Sequence, residues 1–401
     1  MQDVIDRLAA TDQVGSIARG LLFPYLNHAA SMFESGYATR DDIDASMRFG
    51  CGYPIGPLAL IDEIGASKVV EGLDALHAQT GDPLHVPAGL LKTLASSGKG
   101  FYGAAADGDA AEATPQLQHE ISSVGVVGTG TMASGIVEVF AKAGYGVTYV
   151  GRDDDKVAGV ATCIRTSLDK VISRGKLDED GKAAVLAGLT GTTSRDALAG
   201  ADIVVEAIAE DLDTKCELFK DLDRICKTGA ILATTTSSLS IADCAAVTAR
   251  PGDVIGMHFF NPAPIMKLVE VVTADETSPD VAETVRALCL KAGKHPVSCG
   301  DRAGFIVNAL LFPYLNDAVK AHEAGAGTRE EIDTAMKACK LPMGPFELLD
   351  VVGNDVSLAI QETLVDSFGH SGWKPAASLE QVVADGNLGR KTGKGFHDYA
   401  K

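Results

Sequence analysis

The stretch Ile121–Gly135, ISSVGVVGTGTMASG, decides how the middle of the chain folds. Val124–Val127 is a Val-rich run too short for a helix, and it reads as a buried strand. It leads straight into Gly128-Thr129-Gly130-Thr131-Met132-Ala133, a G-x-G-x-x-A pattern, then through Gly135 into an apolar helical segment, Ile136–Ala143. Gly128 allows a tight turn, Gly130 lets a pyrophosphate approach the backbone, and Ala133 is small enough for helix and strand to lie close. Phosphate oxygens would rest on the exposed N–H groups of the helix start, around Thr131 and Met132. In a chain this rich in Ala and Gly, a glycine pattern also arises by chance, and an ordinary glycine-rich turn is the alternative. Context favours dinucleotide binding: the pattern sits between a strand and a helix, and a second strand, Val147–Val150, follows at βαβ spacing.

Working outward, the alternation continues. A long polar helical region extends through Arg174, and Ala201–Ala209, Ile231–Ala233, Val254–Met257 and Leu268–Val272 read as buried strands, the last of these closing the set. Residues 121–300 therefore imply a mostly parallel sheet covered on both faces. On either side the pattern is helical. Gly15–Ser31 carries an apolar face of Ile17, Leu21, Leu22, Tyr25, Leu26 and Ala29. Thr39 offers a helix cap with an acidic first turn behind it, and Tyr53–Pro57 breaks the chain before an apolar helix over Leu58–Ile64.

The two flanks repeat each other. Leu310–Leu315 and Leu21–Leu26 are both LLFPYL, six consecutive identities. Thr328–Asp333 matches Thr39–Asp44, Gly344-Pro345 matches Gly56-Pro57, and Gly393–Phe396 matches Gly98–Phe101. The fold class is thus an α/β Rossmann-type nucleotide domain flanked by two all-α domains that repeat each other. Its parts are residues 1–102, a solvated Ala-, Gly- and acid-rich linker over 103–120, the nucleotide domain over 121–300, and a second helical domain over 301–401.

Composition bounds the function. Of 401 residues, 46% are hydrophobic and 22% charged, an ordinary soluble balance. A net charge of −19 argues against nucleic acid or an anionic membrane as partner. Local Lys and Arg can still hold phosphates on such a protein. The eight cysteines form no C-x-x-C pair and no metal-binding spacing with His, so they read as reduced thiols in a cytosol, and no metal is expected. No secretory h-region opens the sequence, and no run of about eighteen apolar residues is present, so neither a signal peptide nor a membrane span is expected.

Few residues can do chemistry. His258 lies in MHFFNP, just past an apolar strand, and a lone histidine there is by default a satisfied core or surface residue. Glu270, inside the apolar run Lys267–Val272, changes that weighting, because a carboxylate in such a strand is costly unless paired. An imidazole is its obvious partner, and a carboxylate on one ring nitrogen makes the other a better general base. Thr234–Ser238 places five consecutive hydroxyls at a strand's carboxyl end, where ligands bind in open α/β sheets. The alternative is that Ser237 or Ser238 simply caps a helix. Glu206, Glu210 and Lys215 follow another strand end, and the default for Glu210 and Lys215 is a solvated loop pair.

These residues resemble the L-3-hydroxyacyl-CoA dehydrogenases, including the bacterial 3-hydroxybutyryl-CoA dehydrogenases. The resemblance is carried by Gly128–Gly135, Val204–Glu210 (VVEAIAE), Thr236–Leu239, His258–Pro262 (HFFNP), Met266–Val271 (MKLVEV) and Gly304–Asn308 (GFIVN). The N-terminal flank resembles the family's C-terminal domain once more. The resemblance implies NAD(P)-linked interconversion of a 3-hydroxyacyl-CoA and its ketone, of short chain, in fatty acid or hydroxybutyrate metabolism. It makes His258 the base, Glu270 its orienting partner, and Ser237 and Asn308 the groups that hydrogen-bond the reacting oxygen. Asn261, Glu210 and Lys215 match cofactor contacts, and Ser167 and Arg174 match positions that hold CoA. A 3-hydroxy-acid dehydrogenase acting without CoA and a non-catalytic structural protein on the same scaffold are the competing readings. Ser167 and Arg174 argue against the first, and His258 and Glu270 against the second.

The sequence departs from the family at Thr235, where Asn is usual, and at Ala303, where Pro is common. The acid expected after the second strand is Gly151, followed by Arg152, which tilts the expectation from NAD toward NADP. Arg19 stands where the second repeat has Asn308, so the N-terminal copy is expected to be structural. The two copies are expected to pack as a pseudo-two-fold pair within the chain, with a domain-swapped homodimer as the alternative.

Overall fold

Eight strands line the centre of the chain because short Val- and Ile-rich runs alternate with amphipathic helices. They are β1 (Ser123–Val127), β2 (Gly146–Val150), β3 (Leu189–Thr192), β4 (Ile203–Glu206), β5 (Ile231–Thr234), β6 (Val254–Phe259), β7 (Leu268–Thr273) and β8 (His295–Gly300). They form one sheet in the order β3-β2-β1-β4-β5-β6-β7-β8. Every neighbouring pair is parallel except β6 and β7. That exception is forced by chain length. A parallel crossover needs about a dozen residues or more, and residues 260–267 are too few, so the chain turns back beside itself. The core lies where β1 and β4 meet the helix Thr131–Lys142, with Val124, Val126, Ile136, Val137, Phe140, Ile203 and Val205 all buried.

A computed structural model of the chain describes residues 2–103 and 114–399. It divides into two compact units, Glu112–Arg302 and the pair Met1–Ala111 with Ala303–Lys401. Several sequence expectations shift in the first of these. The helix after the glycine turn begins at Thr131 rather than Ile136. The strand expected over 201–209 shrinks to Ile203–Glu206. β6 runs on to Phe259, so His258 is inside a strand rather than past one. Leu268–Thr273 is not the last strand, and β3 and β8 were not expected. Both are sheet edges: β3 reads LTGT and β8 carries Pro296, and neither has the apolar run that marks a central strand. Of the expected linker, residues 104–113 lie outside the described residues. Residues 114–120 are tethered rather than solvated: the Gln118 and His119 N–H groups donate to Thr284 Oγ1, both at 3.1 Å, and Leu117 packs on the core.

In the other unit the two repeats pack together through their longest helices, Gln13–Glu34 and Val307–Glu323. Tyr25 and Tyr314, equivalent in the repeat, meet each other with ring centroids 6.0 Å apart. Each copy is pinned alike. Asp44 accepts hydrogen bonds from the Leu58 and Ala59 N–H groups, and its counterpart Asp333 accepts one from Phe346 N. Thr39 caps Arg40–Gly50, as the sequence implied, and Thr328 caps Arg329–Ala338. The first copy also carries a helix that was not expected, Gln2–Ala9, with Val4 and Leu8 buried.

Candidate active site

The carboxyl ends of the central strands collect the polar residues. Gly128 has a φ of +135°, and a Cβ on it would lie 2.3 Å from the Ala207 carbonyl oxygen, so the turn after β1 requires glycine. Gly130 differs, since a Cβ there would meet nothing within 4 Å. The following helix, Thr131–Lys142, has no side-chain cap, which leaves its first N–H groups to a ligand. Thr131 and Met132 open that helix and Ala133 is fully buried beneath it. An open glycine, uncapped donors and a close helix–strand contact fit a dinucleotide pyrophosphate.

Beyond β4 the solvated loop pair expected for Glu210 and Lys215 holds for Glu210, which is exposed, but Lys215 proves to be buried in a network. Lys215 is 1% exposed, and its Nζ donates to Glu206 Oε1 and Oε2 at 2.7 and 2.8 Å. Glu206 is fully buried and also accepts from Thr234 Oγ1 and the Ile208 N–H, both at 2.7 Å, so the carboxylate is fully satisfied. Glu210 Oε2 lies 3.3 Å from the same ammonium. Its Oε1 accepts from Thr236 Oγ1 at 2.5 Å, Ser237 N at 2.8 Å and Ser237 Oγ at 3.4 Å. Burial opposes ionisation of Glu210, but the Thr236 hydroxyl, Lys215 and the Ser237 N–H outweigh it and hold the carboxyl below its usual range. Neither Ser237 nor Ser238 caps a helix; the cap of Ile241–Ala246 is Ser240. Thr234 and Thr236, unassigned from sequence, turn out to be the linkers of this network, and the run of hydroxyls was their only signal.

His258 and Glu270 face each other directly in the antiparallel β6–β7 pair. Residues in register on adjacent strands present their side chains to one face, and His258 Nδ1 lies 2.6 Å from Glu270 Oε2. Glu270 is fully buried and His258 7% exposed. A carboxylate only accepts, so Nδ1 donates and Nε2 is left as the acceptor. The Phe260 ring packs 4.6 Å from the imidazole. Asn261 is exposed at the start of the turn joining the two strands.

Comparison with known proteins gives the family. The NAD-binding-domain model of 3-hydroxyacyl-CoA dehydrogenase matches residues 123–302, and the C-terminal-domain model matches twice, over 15–105 and 304–399. The chain belongs to the 3-hydroxyacyl-CoA dehydrogenase family. It is 43% identical over 277 residues to the 3-hydroxybutyryl-CoA dehydrogenase of Clostridioides difficile, spanning 69% of this chain and 99% of that one. It is also 43% identical to the mitochondrial hydroxyacyl-coenzyme A dehydrogenase of Rattus norvegicus, over 70% of this chain and 91% of the other. Among solved structures, the (S)-3-hydroxybutyryl-CoA dehydrogenase of Ralstonia eutropha superposes with a TM-score of 0.69 at 42% identity, covering 70% of this chain and all of that one. As a member of this family the protein is an NAD-dependent oxidoreductase.

The remaining dehydrogenase positions are spread more widely. Ser167 is half-buried on the helix Asp154–Ser173, and exposed Arg174 caps its end two turns later, on the same side. Asn308 belongs to the helical unit, buried in the first turn of Val307–Glu323 after two left-handed residues, Gly304 (φ +73°) and Phe305 (φ +47°). At the end of β2 a Cβ on Gly151 would lie 2.7 Å from Thr129 Cγ2 and 2.8 Å from Val157 Cγ2, so no acidic side chain fits there as the chain is packed. Asp153 is spent as a helix cap on the Lys156 N–H, and Arg152 is exposed. Among the described residues no helix is long and apolar enough to cross a membrane.

Proposed function

We propose that the chain interconverts a short 3-hydroxyacyl-CoA and its 3-oxoacyl-CoA, with His258 as the acid–base. The observation that carries this is the buried His258 Nδ1–Glu270 contact of 2.6 Å, placed in register at the carboxyl-end polar cluster. The bound nicotinamide supplies the hydride acceptor or donor. His258 Nε2 takes the proton of the 3-hydroxyl, and Glu270 holds the ring and stabilises the imidazolium that forms. Ser237 and Asn308 hydrogen-bond the reacting oxygen. Gly128, Gly130, Thr131, Met132 and Ala133 seat the pyrophosphate, and Glu210, Lys215 and Asn261 border the nicotinamide half. Ser167 and Arg174 hold CoA, a guanidinium serving for phosphate as well as an ammonium. The short chain length follows the names of the relatives. Oxidation of NADH or NADPH by acetoacetyl-CoA, followed by absorbance, tests the reading. Turnover supports it; no turnover with the thioester, or equal turnover of free acetoacetate, contradicts it.

NADP(H) is used well by this enzyme. Gly151 removes the acid that would repel a 2′-phosphate, Asp153 is engaged in a helix cap, and Arg152 offers a cation beside them. Comparing kcat/KM for NADH and NADPH decides it, and a large NADH advantage would sink this part. The N-terminal copy is structural, forming a built-in pseudo-dimer with the C-terminal copy; a domain-swapped homodimer would bury the same helices between chains. With eight cysteines and no disulfide, the cytosol is the working compartment.

A further inference from the structure

Lys294 is a buried lysine for which the reaction as described has no use. It is 8% exposed, and its Nζ donates to two main-chain carbonyls, Ala263 O and Met266 O. Those carbonyls belong to the turn 260–267, which joins the strand of His258 to the strand of Glu270 and carries Asn261 at its start. The same turn lies on the dinucleotide helix: a Cβ on Gly135 would sit 3.0 Å from Pro264 Cδ and 3.1 Å from Ala263 Cβ. Within the turn, Ile265 N and Met266 N both donate to Pro262 O, at 2.9 and 3.0 Å. Ile265 itself is 69% exposed, so burial of its own side chain does little to fix the turn. Burying an ammonium against neutral carbonyls is expensive. A methionine would fill the space without that cost, so the charge is retained for its donors.

We propose that Lys294 is a positioning residue that clamps the 260–267 turn onto the dinucleotide helix, so that Asn261 and the His258–Glu270 pair are held in one register with the cofactor site. The clamp works at a distance from the chemistry. Lys294 immediately precedes β8, the edge strand paired to β7 through Leu268 and His295, and reaches back under the turn. The groups that act on its charge are Lys142 and Glu138 from the dinucleotide helix and Cys289 from the helix Pro279–Lys291. Burial pushes the ammonium down to about 8, with Lys142 adding to this and Cys289 and Glu138 opposing it. Above that pH the charge-assisted bonds to the turn become neutral ones of roughly half the strength.

The inference rests on His258 and Glu270 being the acid–base pair, and the test separates the two. Amide exchange of Ile265 and Met266 reads the clamp without turnover; kcat per cofactor-binding site reads its consequence. Lys294→Met should speed exchange of these amides by roughly tenfold or more. It should lower kcat by roughly 10–100-fold with KM for acetoacetyl-CoA moved by less than about threefold, as a displaced but intact site would. Lys294→Gln, which keeps a neutral donor, should fall between the two, and it replaces Lys294→Met if that variant does not fold. In the wild type, exchange corrected for intrinsic base catalysis should rise between about pH 7 and 9, and in Lys294→Met it should not. Unchanged exchange in the variants, or faster exchange with kcat per site within about twofold of wild type, overturns the proposal. If His258→Ala itself kept full turnover, the acid–base reading would fall while the exchange data still decided whether the clamp exists.

Discussion

Asn27 and Asn316 do the same work in the two helical copies. Each amide donates to carbonyls of a later turn, Leu84 and Val86 in one copy and Lys374 in the other. Each carbonyl oxygen accepts a backbone N–H at 2.8 Å, from Ala88 and Ala376. Two positions ahead of the shared LLFPYL motif the copies part. Asn308 stands in the first turn of its helix, reached through left-handed Gly304 and Phe305. Its counterpart Arg19 lies inside a helix that already began at Gln13. Arg19 Nη1 donates to Leu8 O and Ala10 O, both at 2.6 Å, and so ties down the extra helix Gln2–Ala9. Gly15, counterpart of Gly304, is needed only because the Ala10 carbonyl approaches it, 2.3 Å from where a Cβ would be. One copy keeps a polar amide at a helix start; the other has turned the same position into an anchor for a covering helix. What folding needs is retained in both, and the amide proposed for the chemistry is kept in one.

The comparison breaks most visibly if the N-terminal copy is removed. Deleting residues 1–105 uncovers the apolar face of Val307–Glu323, including Tyr314, and the remainder should dimerise or aggregate, as light scattering after gel filtration would report. A monomeric, soluble remainder of equal stability would mean that the copies do not depend on each other. Exchanging the divergent residues is the next test. Asn308→Arg should lower kcat by roughly 10²–10³-fold, whereas Arg19→Asn should leave kcat within about twofold. Equal losses in the two variants would give the N-terminal copy a part in the chemistry. The shared staples sharpen the picture from the other side: Asn27→Ala and Asn316→Ala should each cost about 1–3 kcal/mol in denaturant unfolding, with similar values.

The smallest effect concerns Asp317, whose counterpart is His28. His28 packs 4.8 Å from Trp373, while burial holds the Asp317 carboxyl up at about 7, with Lys320 opposing and Asp82 adding. An unfolded Asp titrates near about 4. Between those values the folded state keeps a proton that the unfolded chain has released, so this group's contribution to stability falls as pH rises from about 4 to 7. Asp317→Asn should remove that slope, raising Tm by a few degrees at about pH 7.5 and by nothing below about pH 4.

The glycine turn, the internal repeat and the His258–Glu270 pairing were legible in the sequence because each depends on local pattern or on a polar residue in an apolar run. β3 and β8 were not, since edge strands need no continuous apolar run and their pairing is set by neighbours far along the chain. Lys215 was misread as solvated because its partner, Glu206, sits nine residues earlier on a strand whose burial only the assembled sheet reveals. The Gln2–Ala9 helix was missed because an eight-residue segment has too little periodicity of its own and depends on Arg19 for its anchor.

The central claim is that His258, oriented by Glu270, moves the proton. It is tested most directly by the turnover of acetoacetyl-CoA by His258→Ala, with cofactor binding measured alongside. The account predicts a fall in kcat of roughly 10²–10⁴-fold with cofactor affinity nearly unchanged, and a smaller fall for Glu270→Gln. Wild-type turnover in His258→Ala would contradict it.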